Sequence, residues 1–203
     1  FHTHYGNQTA PEKDSDKELA FTLHTISSSL FAKIYNSENW VHTVGWDIQY
    51  QKNTISGYSF LLPRYSRFTT GAYWISSYQL NDYISFNGGD RYDYGHIKAS
   101  AYQDTYLETY LAEQGYSQED IDTYKWRSHS VDRGMGDFSA SLGVVYTKGR
   151  HILQLNAGHS YRLPAANELA SNGVHHGTFR HEQGDASLSS EKGWQFDVGY
   201  TFD

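Results

Sequence analysis

The residues best equipped for chemistry stand close together: His175, His176, His181 and Glu182, in the order His-His-x4-His-Glu. A neutral imidazole nitrogen suits haem iron, and equally zinc, copper or nickel. The carboxylate of Glu182 adds one oxygen donor to that set. The blander alternative is that these are solvent-facing loop histidines, or ones bonded to loop backbone. His2 and His4 lie far upstream and join the group only if the fold returns them to the same rim. A second set of residues is ionic. Arg162 and Glu191 end the two segments that flank the histidines, and a charge-assisted pair between them would fix the base of the intervening loop. Asp47, Arg91, Asp93 and Asp197 fall on the polar side of alternating segments, where pairing or solvation is a simpler role than a relay.

Strands must position these groups. His151 to Arg162 and Gly193 to Phe202 alternate strongly between apolar and polar residues. The loop of about thirty residues between them far exceeds a usual hairpin connection of about 2–5 residues, and loops of that length are commonly functional or disordered. The same alternation runs over Glu18–Tyr35, Val41–Asn53, Thr69–Leu80, Tyr83–Ile97 and Phe138–Thr147. In the second of these, Val44, Trp46, Ile48 and Tyr50 oppose Thr43, Gly45, Asp47 and Gln49. In the penultimate strand Leu153, Leu155, Ala157 and Tyr161 share one face. Strands of about ten residues or more are long for a soluble sheet and match tilted membrane strands of about 9–11 residues. Their connections alternate between short (36–40, 81–82, 148–150) and long (54–68, 98–134, 163–192). Short turns on one end and long loops on the other are the pattern of outer-membrane barrels.

One stretch reads as helical. Within 102–126, Tyr102, Tyr106 and Tyr110 recur every four residues beside Leu107 and Leu111, and Gly115 is a plausible stop. Ser117 followed by Asp120 resembles a capping signal. The tyrosine stripe is expected to pack this helix onto the barrel rim, with a ligand-contact or protein-contact surface as the alternative.

Composition supports the same architecture. Mean hydropathy is −0.69, the value of a very polar chain, yet 16% of residues are aromatic. Aromatics alternating with Gly, Ser and Thr are what a sheet uses when one face meets lipid and the other water. The net charge of −7 argues against nucleic acid recognised through a basic surface. The absence of cysteine removes thiol chemistry and Cys-ligated zinc. No apolar run reaches the roughly 20 residues of a membrane helix. The chain opens on Phe1 within a strand-like or loop-like run, so the expectation is an excised piece of something longer.

The motifs around the histidine loop carry a family resemblance. Tyr161-Arg162-Leu163-Pro164 resembles the Phe/Tyr-Arg-Ala-Pro box of TonB-dependent outer-membrane receptors. Asn167-Glu168-Leu169 sits where members carry a Glu-Leu pair. Asp185-Ala186-Ser187-Leu188 resembles the Asn-Pro-Asn/Asp-Leu box, and Ser190-Glu191 the Pro-Glu after it. This chain departs from the pattern in lacking the Asn-Pro at 185–186 and the Pro at 190. Upstream, Leu62-Pro63, Gly71 and Gly89-Asp90-Arg91-Tyr92-Asp93 fit the barrel repeats. The resemblance implies an all-β chain in which residues 1–203 form a consecutive antiparallel part of a large transmembrane β-barrel, of about 22 strands with a plugged lumen. It implies residence in the outer membrane of a Gram-negative bacterium. The implied activity is uptake of siderophores, haem, cobalamin, metal ions or sugars, using energy passed on by TonB through a plug region outside these residues. Haem, siderophore-iron or a divalent metal would be cargo rather than an intrinsic cofactor. Outer-membrane lipid and a surface lipoprotein are the other implied partners. In haem receptors of this family an axial ligand lies between the two boxes, the place held here by His175, His176 and His181.

Enzyme chemistry finds little support. The sequence has no Gly-x-Ser-x-Gly, no phosphate loop and no His-Glu-x-x-His. Carboxylate pairs such as Glu119-Asp120 lie in a polar loop and read as solvated. The remaining rivals are a soluble β-sandwich carbohydrate-binding module and, more remotely, a β-sandwich glycosidase. A membrane wall cut from its barrel would have two open edges and an outward aromatic face, so it is expected to need detergent, a partner copy or a non-native arrangement to be soluble.

Overall fold

The computed structural model describes residues 2–5 (backbone alone), 17–175 and 179–203. In chain order they form strands β1 (His2–Tyr5), β2 (Ala20–Ser37), β3 (Trp40–Ser56), β4 (Tyr65–Gln79) and β5 (Ile84–Ala99). A folded excursion follows: β6 (Tyr102–Gln103), helix α1 (Thr105–Glu113), helix α2 (Gln118–Tyr124) and β7 (Trp126–Ser128). Strands β8 (Val131–Lys148) and β9 (His151–Arg162) come next. Helix α3 (Ala166–Ala170), the hairpin β10 (Asn172–His175) and β11 (Arg180–Gln183), and strand β12 (Glu191–Phe202) complete the chain. One antiparallel sheet runs β1-β2-β3-β4-β5-β8-β9-β12, and it is open at both edges. The seven long strands are those read from alternation.

The register shows why alternation was so clear. Leu30 pairs with Trp46, Trp46 with Ala72, Ala72 with Tyr92 and Tyr92 with Phe138, so one row of outward side chains crosses five strands. On β12 the same face shows Trp194, Phe196 and Val198, each more than 70% exposed. An apolar face this large has no place on a soluble monomer. None of the described residues folds over it, so they form a single-layer wall and not a sandwich. The short turns share one end of that wall. At one of them the Asn81 side chain accepts hydrogen bonds from the backbone amides of Tyr83 and Ile84. At another Gly149 turns the chain with φ +59°.

The strands run further than the hydrophobic pattern indicated. Strand β8 begins at Val131, and its ladder with β5 continues to Ala99–Val131. Asp132, Arg133, Gly134 and Gly136 therefore belong to a strand although the alternation stops at Phe138. Alternation records lipid on one face, and above the membrane both faces are polar while the backbone ladder carries on. The long connections at this end are correspondingly shorter than the expected 54–68 and 98–134.

The helical expectation for 102–126 holds, with two short helices. Asp104 caps α1 by accepting from the Leu107 amide, and Ser117 caps α2 by accepting from the Asp120 amide. Gly115 stops α1 with φ +77°. Of the tyrosine stripe, Tyr102 packs, its ring stacked on Phe60 with centres 4.4 Å apart, and the two tyrosines of α1 do not. Tyr106 is 79% and Tyr110 57% exposed, while Leu111 and Ile121 are the buried residues of the two helices. The apolar side of so small a unit needs only one leucine and one isoleucine, and Tyr106 and Tyr110 are left facing solvent.

Candidate functional site

The candidate site lies at the long-loop end, where helix α3 lies against the inner face of the wall. A small core sits there: Ile97, Ala99 and Val131 from β5 and β8 against Ala166, Leu169 and Ala170 from α3. Leu169 is 2% exposed, so the Glu-Leu pair of the sequence motif contributes its leucine as an anchor. Pro164, just before α3, is buried.

Arg162 organises the polar part. Its guanidinium donates from Nη1 and Nη2 to the two carboxylate oxygens of Glu168, at 2.7 and 2.8 Å, and from Nε to Glu191 at 3.0 Å. The expected Arg162–Glu191 pair is present, joined by a bidentate partner that sequence reasoning did not assign. Glu168 also accepts from the Ala165 backbone amide at 2.7 Å, the glutamate half of a capping box at the start of α3. Its position at the third residue of a helix after a proline was the available signal. The Arg162 guanidinium, and then the Ala165 amide, hold the Glu168 carboxyl down to about 2.

The second box is tied to the first by backbone. The Gly184 amide donates to Ser171 and the Asp185 amide to Glu168, each at 2.7 Å. Asp185 accepts from both the amide and the hydroxyl of Ser187, and these lower its pKa. Arg133 of β8 donates to the carbonyls of Ala186 and Leu188. Ser190 and Lys192 both reach Asp137, at 2.5 and 2.9 Å. Asn167 is exposed, and its carbonyl accepts from the Ser171 amide.

Below this frame the inner wall carries a charged group. Arg91 donates to both oxygens of Asp93 at 2.6 Å and to Asp47 at 2.5 Å, with its guanidinium 5.6 Å from the Tyr73 ring centre. Pairing on the polar face was the expectation for these three residues. Asp197 sits on the same face and accepts from Gln195. A side chain at Gly71 would collide with Asp93 and Arg91, so that glycine keeps the space they occupy. Tyr161 departs from its expected place. Its hydroxyl donates to Asp93 on the inner face, whereas alternation grouped it with Leu153, Leu155 and Ala157. The β8–β9 ladder ends at Ala140–His159, and past that point the strict alternation of β9 lapses.

His175 and His181 lie on a separate hairpin. In the β10–β11 hairpin His175 pairs with Arg180 and Val174 with His181, so His175 and His181 point to opposite faces. Glu182 pairs with Gly173 and shares the His175 face. His175 is half-buried and His181 exposed. His176 lies outside the described residues. Among the described residues no three His, Asp or Glu side chains converge on a point that could hold a metal ion. The hairpin is rooted by the Asn172 amide, which donates to Leu61 at 3.0 Å. A side chain at Gly173 would meet the backbone of Phe60 and Leu61.

The geometry, an open membrane wall with a boxed loop closing its inner rim, agrees with comparison to known proteins. A family model, described as TonB dependent receptor-like, beta-barrel, matches residues 2–203. The chain belongs to the TonB-dependent receptor family. No curated protein sequence matches it. Among solved structures, this TonB-dependent receptor chain resembles a double mutant of the Serratia marcescens hemophore receptor HasR in complex with its hemophore HasA and heme. The TM-score is 0.64 and the identity 20%, over 90% of this chain and 30% of that one. It also resembles the copper transporter OprC, with TM-score 0.62 and identity 14%, over 95% of this chain and 30% of that one. At such identities the likeness is one of fold. The receptor chain described here thus spans about a third of the length of these structures.

Proposed function

We propose that these residues form part of the wall and outer rim of an outer-membrane receptor that takes up haem, with the β10–β11 hairpin presenting an axial imidazole to the iron. The observation that carries this reading is the divergence of His175 and His181. Holding a bare divalent ion takes three or four converging donors, and the two described histidines of the hairpin do not converge. Haem iron needs a single imidazole from one side, and the exposure of His181 supports it as that ligand. The haem-bearing HasR structure supports the same choice, while the OprC likeness keeps copper as the competing cargo.

In this reading the boxes do not touch cargo. They hold the loop so that the hairpin keeps its position while energy is delivered through TonB and a plug region. The role is transport and not catalysis. The test uses the full-length receptor, with His175→Ala, His176→Ala and His181→Ala made singly and uptake of haem, copper, zinc and a ferric siderophore measured. Loss of haem uptake in His181→Ala, with the other cargoes unaffected, is expected. Unchanged haem uptake in all three variants would remove the hairpin from the site. Loss of copper uptake alone would move the assignment to metal.

A further inference from the structure

Above the apolar band, the outward face of the wall changes character within a few residues. From Trp40 to Tyr50 on β3, and from Ile84 to Tyr94 on β5, the chain advances about ten residues. At about 3.4 Å per residue and a tilt of about 40° this spans roughly 25 Å, the height of a barrel's lipid-facing band. The next outward positions toward the long loops include Lys52 on β3 and Lys98 on β5. The register places both on one row: Lys52 pairs with Ser66, and Ser66 with Lys98. The two lysines thus stand roughly 10 Å apart across the central strand, with the Ser66 hydroxyl between them. A hollow of about 410 Å³ opens at this point, lined by Tyr50, Lys52, Arg64, Ser66 and Lys98 among others.

The charges here are only partly compensated. Asp132 takes one side of Lys98 at 3.1 Å and also meets His96 at 2.8 Å. Arg64 donates to the Ile55 carbonyl at 3.4 Å. Lys52 is exposed and has no ion pair among the described residues. Three cations therefore rim a hollow whose floor is a tyrosine at the edge of the lipid-facing band.

From this we infer that the hollow between Lys52, Ser66 and Lys98 binds the phosphorylated headgroup of a lipid in the membrane leaflet on the long-loop side. The inference rests on the outer-membrane reading. In that reading an acyl chain lies along the aromatic face while its phosphate is held at the level of the lysines. Long cationic side chains rising from apolar surface to the headgroup level suit such a contact, and their attraction to anionic lipid acts within about a Debye length. Ser66 adds a neutral donor, so phosphate oxygens find donors from three strands.

The test uses the full-length receptor purified in detergent and titrated with diphosphoryl lipid A, dephosphorylated lipid A or inorganic phosphate, with bound species counted by native mass spectrometry. The wild type is expected to retain the diphosphoryl lipid at least tenfold better than the dephosphorylated one. Lys52→Ser with Lys98→Ser should lose that preference, and Lys52→Arg with Lys98→Arg should keep it. Equal retention of the two lipids by the wild type, or an unchanged preference in the serine variant, overturns the inference. Displacement of the lipid by equimolar inorganic phosphate overturns the lipid as the source of the bound group. Should the serine variant fail to fold, the arginine variant and the lipid comparison still decide. A wild type that fractionates away from membranes sinks the outer-membrane reading and this inference together. A membrane-inserted wild type indifferent to lipid phosphate sinks this inference alone.

Discussion

Two neighbouring parts of the same loop are built on opposite principles. In the frame, residues 161–171 and 184–191, polar groups are paired: Arg162 with Glu168 and Glu191, Asp185 with Ser187, and Ser190 with Asp137. In the hairpin between them, strands β10 and β11, His181 is exposed and His175 half-buried on the opposite face, and the root is Asn172 with the close approach at Gly173. The frame carries the residues that identify the family, and the hairpin carries those that would choose a cargo. A receptor family can keep one scaffold and vary its chemistry by holding these two tasks on separate stretches of one loop.

That division can be broken from either side. The largest effect is expected from Leu169→Ala, which empties a site 2% exposed in the small core that seats α3. It should cost about 2–5 kcal/mol, read as a lowered denaturant midpoint in detergent, with haem uptake lost because the frame fails. Gly173→Ala should lift the hairpin root from Phe60 and Leu61 at a cost of about 1–3 kcal/mol. Hydrogen exchange should then quicken across 172–183 and stay slow in α3; quickening in both would show that the two parts are not independent. Glu168→Gln should cost about 1–2 kcal/mol, a charge-assisted bond discounted for its half-exposed setting. It should also change the response to acid. The carboxyl is held at about 2 against an ordinary 4.5. Its contribution is therefore complete above about 4.5 and is lost as pH falls toward about 2. Protease resistance of the loop should follow that slope in the wild type and flatten in the variant. The smallest stability change, within about 0.5 kcal/mol, is expected for exposed His181→Ala, the variant expected to abolish haem uptake. A large loss of stability there would merge the hairpin with the frame.

How much of this was legible in the sequence depends on which solvent a segment faces. Where one face of a strand meets lipid, alternation such as Val44, Trp46, Ile48 and Tyr50 against polar neighbours gives the strand and its orientation directly. Above the band that contrast disappears, and Asp132 to Gly136 read as loop although they lie in β8. Local signals served where a partner was nearby: Asn81 at its turn and Ser117 at its cap. They failed where the partner is set only by the packed sheet. Tyr161 finds Asp93 on β5, and no periodicity in β9 points there. The tyrosines of α1 showed a correct helical spacing, but spacing does not say which side of so short a helix is covered. The histidine cluster looked like one site because its members are close in sequence, and the hairpin places neighbours on opposite faces.

The bond from Tyr161 to Asp93 joins β9 to β5 over the intervening strand β8. A link that skips a strand draws the inner face together and favours concave curvature toward the lumen. It also changes how load is carried. Tension applied to the loop frame reaches β5 directly, through Asp93 and the Arg91 that grips it, and does not have to peel β8 and β9 apart one ladder rung at a time. In mechanical terms the wall is cross-braced at the height where the frame is attached.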